Sequence, residues 1–119
     1  MEADFMARRK NTNERVPSLS GKEALVLELL LSKPAAEMYG LELVHTSRNR
    51  LKRGTIYVTL SRMEDKAYVE SRLEEKKADA SGLPRRLYRA TGYGKRVYGA
   101  WQLAREAGRM HLAEISGAA

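Results

Sequence analysis

A chain of 119 residues with 43% hydrophobic and 31% charged residues is the size of one globular domain with a single modest core, which excludes a multidomain enzyme. With no cysteine there is neither a disulfide nor a thiolate metal ligand, as suits a reducing interior, and a cytoplasmic protein is expected. The formal net charge of +7 suits a binder of nucleic acid or of an anionic surface, and the excess sits in two short segments. Arg48, Arg50, Lys52, Arg53 and Arg62 fall in residues 48–62, which hold no acidic residue. Lys76, Lys77, Arg85, Arg86 and Arg89 fall in residues 76–89, which hold only Asp79.

Residues 1–19 mix charged and polar side chains with Pro17 and read as an N-terminal arm; they begin with acidic residues and no apolar segment with a cleavage site follows, so no export signal is expected. Ser20 and Glu23 have the S-x-x-E spacing of a capping box and start a first helix, with Leu25, Val26, Leu29 and Leu30 at one-turn spacing. Its apolar segment is split by Glu28 and falls short of the roughly 20 residues of a membrane helix. Lys33-Pro34 ends the helix, because the residue before proline is pushed out of the α region. Met38, Leu41, Leu43 and Val44 predict a second helix over 35–46 with Gly40 inside it, and Ser47 to Arg50 make a turn. Ile56, Leu60 and Met63, at i, i+4 and i+7, predict a third helix over 53–66 with one apolar stripe and a polar opposite face.

Residues 68–73 and 85–90 alternate and carry β-branched or aromatic residues, so they read as a hairpin with a long charged tip. Thr91 caps a last helix over 92–115, on which Val97, Trp101, Ala104, Leu112 and Ile115 form one stripe. A helix of that length requires a partner. The order helix, helix, helix, strand, charged turn, strand, helix is that of a winged helix-turn-helix domain, mainly α with a small β-hairpin. Both basic segments then fall on the elements that meet DNA, the third helix in the major groove and the wing on backbone or minor groove.

Several motifs at these positions resemble the PadR-like transcriptional regulators. Met38-Tyr39-Gly40-Leu41-Glu42-Leu43 is similar to the opening of that family's second helix. Gly54-Thr55-Ile56-Tyr57-Val58-Thr59-Leu60-Ser61-Arg62-Met63-Glu64 resembles its recognition-helix signature. Val69-Glu70-Ser71-Arg72, Arg86-Leu87-Tyr88-Arg89 and Thr91 through Gly94 look like its wing and the start of its last helix. Lys52 and Arg53 stand where the family usually has Ser-Pro, and Val58 replaces a common proline, so the operator does not carry over. A single C-terminal helix looks like the short form of the family. In that form the resemblance implies a homodimer made by the last helix, often with the N-terminal arm, and in some members a planar hydrophobic effector bound between such helices.

Three units are thus expected: an arm over 1–19, a DNA-binding winged domain over 20–90, and a dimerisation helix and tail over 91–119. Ile56, Leu60 and Met63 are core. Lys52, Arg53, Thr55, Tyr57, Thr59 and Arg62 are the candidates for base and phosphate contacts, with Thr55 and Tyr57 also matching family positions. Lys76, Lys77, Arg85 and Arg86 are the wing contacts, expected to give salt-sensitive affinity with little sequence information, and Tyr39 is a backbone contact. Val97, Trp101, Ala104, Leu112 and Ile115 form the dimer stripe, with Trp101 read either as interface core or as a wall of an effector slot. His45 and His111 are the only histidines, and neither H-E-x-x-H nor G-x-S-x-G occurs, so no catalytic activity, cofactor or metal is expected. Gly92-Tyr93-Gly94-Lys95 lacks the spacing of a phosphate loop, and the adjacent Glu74 and Glu75 read as a solvated hairpin edge. The function expected is a homodimeric, sequence-specific repressor with half-sites one or two DNA turns apart. The alternatives are a winged adaptor that binds protein and a sequence-independent DNA architectural protein.

Overall fold

A computed structural model describes residues 18–75 and 84–115. The arm before residue 18 and the hairpin tip with Lys76 and Lys77 therefore lie outside the described residues. The elements are α1 (Gly21–Leu30), β1 (Met38–Tyr39), α2 (Gly40–Thr46), α3 (Ile56–Asp65), β2 (Val69–Leu73), β3 (Arg86–Ala90) and α4 (Gly92–Ile115). The three strands form one antiparallel sheet in the order β1-β3-β2. Among the described residues no helix is long and apolar enough to cross a membrane.

α1 begins as its capping box dictates: Glu23 N–H donates to Ser20 Oγ at 3.1 Å, and Ser20 N–H donates to Glu23 Oε1 at 2.9 Å. The other carboxylate oxygen of Glu23 accepts from Lys66 Nζ at 2.9 Å, so one buried side chain caps α1 and holds the C-terminal end of α3. Leu27, Leu43, Leu51, Leu60 and Val69 are at most 2% exposed and bring α1, α2, the turn, α3 and the sheet into one core.

The helix expected over 35–46 forms only from Gly40 onward. Ala35 has φ 55°, which breaks the helical path after Pro34, and Met38 and Tyr39 instead pair with Tyr88 and Leu87 of β3. That pairing turns the expected two-stranded hairpin into a three-stranded sheet. Gly40, at the first position of α2, lies against the Tyr57 ring. A Cβ there would come within 2.6 Å of ring carbons, so close approach is what the glycine permits.

α3 is shorter than expected at its start. Residues 53–55 make a tighter turn, with Lys52 O accepting from the N–H groups of Thr55 and Ile56 at 3.1 and 2.9 Å. α2 and α3 end in the same way. Asn49 N–H bonds Val44 O and Arg48 N–H bonds His45 O; after α3, Tyr68 N–H bonds Met63 O and Ala67 N–H bonds Glu64 O. These are Schellman pairs, with Arg48 and Ala67 in the left-handed region that glycine normally fills. Ser47 Oγ donates to Val44 O and accepts from Leu51 N–H, both at 2.9 Å, and sets the turn that buries Leu51 between α2 and α3.

α4 starts under Thr91, whose Oγ1 accepts from Gly94 N–H at 2.9 Å and donates to Ala67 O at 2.7 Å. Gly94 is pressed so closely on the Tyr68 carbonyl that a Cβ would lie 2.1 Å from its oxygen. Val97, expected on the dimer stripe, is 6% exposed and belongs to the core of its own chain. The first turns of α4 thus complete the winged domain, and residue 91 is not a break in its packing.

Candidate nucleic-acid interface

The apolar stripe of α3 seats the helix, since Ile56, Leu60 and Met63 are at most 1% exposed. The opposite face is therefore turned outward by helical geometry alone. Thr55, Val58, Ser61 and Arg62 are exposed on it, Lys52 and Arg53 are exposed at its N-terminal end, and Thr59 is half-buried at its margin. Lys52, Arg53 and Arg62 form no ion pair with a described residue. Many acidic groups are engaged elsewhere: Glu37 with Arg72 through two bonds of 3.1 and 2.7 Å, Glu70 with Arg89 at 2.8 Å, and Glu23 with Lys66. A cationic end followed by hydroxyls along the same face has the donors that phosphate oxygens and base edges accept from.

Tyr57 sits differently. Its ring lies over Gly40 and it is 49% exposed, so it lines the side of α3 that faces α2 and the wing instead of the outward face. It borders a groove of about 640 Å³, lined also by Tyr39, Glu42, His45, Arg85 and Arg86. Tyr39, expected to touch DNA backbone, ends β1, and its backbone N–H is held by Glu42 Oε1 at 3.3 Å.

The two wing-base arginines are anchored within the chain. Arg85 lies 4.4 Å from the Tyr39 ring centroid and pairs with Glu74 at 3.2 Å, while its side chain stays 55% exposed. Arg86 donates to Ser71 Oγ at 3.0 Å, and Ser71 in turn donates to Glu64 Oε2 at 2.7 Å. This relay ties the wing to α3, and sequence reasoning missed Glu64 and Ser71. Only the cross-strand register, with Ser71 opposite Tyr88, brings them under Arg86. Burial pushes the Tyr88 phenol above its ordinary value, and the nearby Glu64 charge adds to that, so Tyr88 is protonated at neutral pH. Burial and then Glu64 likewise raise the Glu70 carboxyl.

On α4, Trp101 stacks on Tyr98 with centroids 5.9 Å apart and planes at 20°, and Arg105 lies 5.2 Å from the Trp101 centroid. They line a groove of about 630 Å³ beside Glu28, to which the Tyr98 hydroxyl donates at 3.5 Å. Burial, with Glu28 next, raises the Tyr98 phenol. Beyond Trp101 every described residue of α4 is exposed, including Ala104 and, at 65% and 66%, Leu112 and Ile115. Leu103 at 74% and Met110 at 60% are equally bare on another side of the helix, outside the stripe expected from the sequence.

Known proteins share this architecture. A PadR family transcription regulator from Clostridium difficile R20291 is 28% identical with a TM-score of 0.58, over 78% of this chain and 99% of that one. A transcriptional regulator from Clostridium thermocellum (21% identity, TM-score 0.61, 78% of this chain and 87% of that one) and a PadR family regulator from Eggerthella lenta DSM 2243 (21%, 0.62, 79% and 83%) share the fold. No match is found among curated proteins. The model of the transcriptional regulator PadR-like family matches residues 26–100, which run from α1 through the wing into the buried start of α4. With that match spanning most of the chain, the protein belongs to the PadR-like family of transcriptional regulators.

Proposed function

We propose that this chain acts as a homodimer that binds double-stranded DNA sequence-specifically and represses transcription by covering a promoter. The observation that carries the reading is the outward face of α3, cationic at its start and hydroxyl-bearing along its length, with the buried stripe holding it in place. Residues 20–90, closed by the start of α4, hold the DNA. The exposed remainder of α4 holds a second copy, since a segment of that length left largely uncovered by the described residues is marginal as an isolated helix in water. Two α3 helices then enter major grooves one or two turns apart on a pseudo-palindrome, because half-site spacing follows the two-fold geometry of the dimer. Lys76 and Lys77, between β2 and β3 in sequence, add phosphate contacts, and their replacement by alanine flattens the dependence of affinity on salt.

Selection of bound duplexes from a random library at about 0.15 M salt, near the physiological range, tests the proposal. An enriched inverted repeat supports it, and transcription from a promoter bearing that repeat should fall when the protein is added. Retention without enrichment supports an architectural role, and no retention supports the adaptor.

A further inference from the structure

The outward face of α3 holds one apolar side chain among polar ones. Val58 is 52% exposed and lies diametrically opposite the stripe of Ile56, Leu60 and Met63. Its neighbours one turn away are small or long: Gly54 and Thr55 before it, Ser61 and Arg62 after it. A Cβ added at Gly54 would meet nothing within 4 Å. Gly54, Thr55 and Ser61 leave the surface beside Val58 low, so its two methyl groups stand clear of them and within reach of a flat object pressed on this face. Valine there does nothing for the fold, because it is a poorer helix former than alanine, lysine or glutamate and has no core contact to offset that.

We infer that Val58 is a specificity-determining residue that packs on the C5-methyl group of a thymine in each operator half-site. In the major groove the only apolar group on a base edge is that methyl, and small aliphatic side chains are what recognise it. Arg62, one turn further along the same face, has the fork to read a guanine nearby, so the two residues divide an apolar from a polar signal. The inference rests on the proposed reading of α3 as the element in the major groove and adds the base that one of its residues selects.

The experiment uses the full chain and the half-site that library selection enriches. Each thymine is replaced singly by uracil, which keeps the base pair and removes only the methyl, and affinity is measured for the wild type and for Val58→Ala at one salt concentration. For the wild type, one symmetric position should lose about fourfold per half-site, the worth of one buried methyl. Val58→Ala should bind the thymine duplex about fourfold more weakly and should not distinguish uracil from thymine at that position. Alanine at an exposed helical position does not lower stability, and the uracil series on the wild type depends on no variant. A half-site with no methyl-sensitive thymine, or methyl sensitivity that persists in Val58→Ala, overturns the inference and leaves DNA recognition by α3 standing. A pool with no enriched sequence overturns that recognition, and the inference with it.

Discussion

The outward face of α3 and the distal half of α4 are both exposed, but with opposite chemistry. On α3 the exposed groups are mostly cations and hydroxyls, stable in water and free to exchange hydration for phosphate or base contacts. On α4 they include Leu103, Met110, Leu112 and Ile115, each at least 60% exposed. Bare apolar side chains on two sides of one helix, uncovered by the described residues, are what the proposed second copy would bury. Exposure alone therefore says little about function; which atoms are exposed separates the face proposed for DNA from the helix proposed for a second copy.

That contrast can be broken one region at a time. Replacing Leu112 and Ile115 together by glutamate should weaken self-association by about a thousandfold or more, because two apolar side chains per copy lose their burial. Sedimentation equilibrium reads this, and operator affinity should fall with it. Arg53→Glu should lower specific DNA binding about a hundredfold and leave self-association untouched; loss of self-association in Arg53→Glu would show that the two faces are not separate. Gly94→Ala acts at the joint between the regions. Its Cβ meets the Tyr68 carbonyl, a backbone atom that cannot swing away, so unfolding should become easier by about 2 kcal/mol. Gly40→Ala meets only the movable Tyr57 ring and should cost less, and denaturant titration of the two compares them. The smallest effect has the opposite sign: Ala67→Gly, at φ 65° in the Schellman turn after α3, should stabilise by roughly 0.5–1 kcal/mol without changing DNA affinity.

Much of the fold was legible because its signals are local. The capping box of Ser20 and Glu23, the i, i+4, i+7 stripe of Ile56, Leu60 and Met63, and the Thr91 cap each act within one or two turns, and each appears where the sequence puts it, while α1 ends at Leu30, a little before Pro34. The strand at Met38 and Tyr39 is not legible in the sequence, because its apolar spacing suits a helix. The competing contact, pairing with β3, lies some fifty residues away. The candidate site divides in the same way. Lys52, Arg53, Thr55 and Arg62 follow from being off the buried stripe. Tyr57 belongs to the same outward set by sequence, yet its ring turns toward Gly40.

The sequence by itself determined where helices start and stop, which stripe of α3 is buried, and where the positive charge collects, because capping, periodicity and composition are properties of neighbouring residues. Only the tertiary structure decided that Val97 serves its own core while Leu112 and Ile115 remain bare, although all three share one helical stripe. It also decided that Arg86 is held through Ser71 to Glu64. A stripe records which residues share a side of a helix; how far along it the rest of the domain reaches depends on where α1 and the sheet end in space.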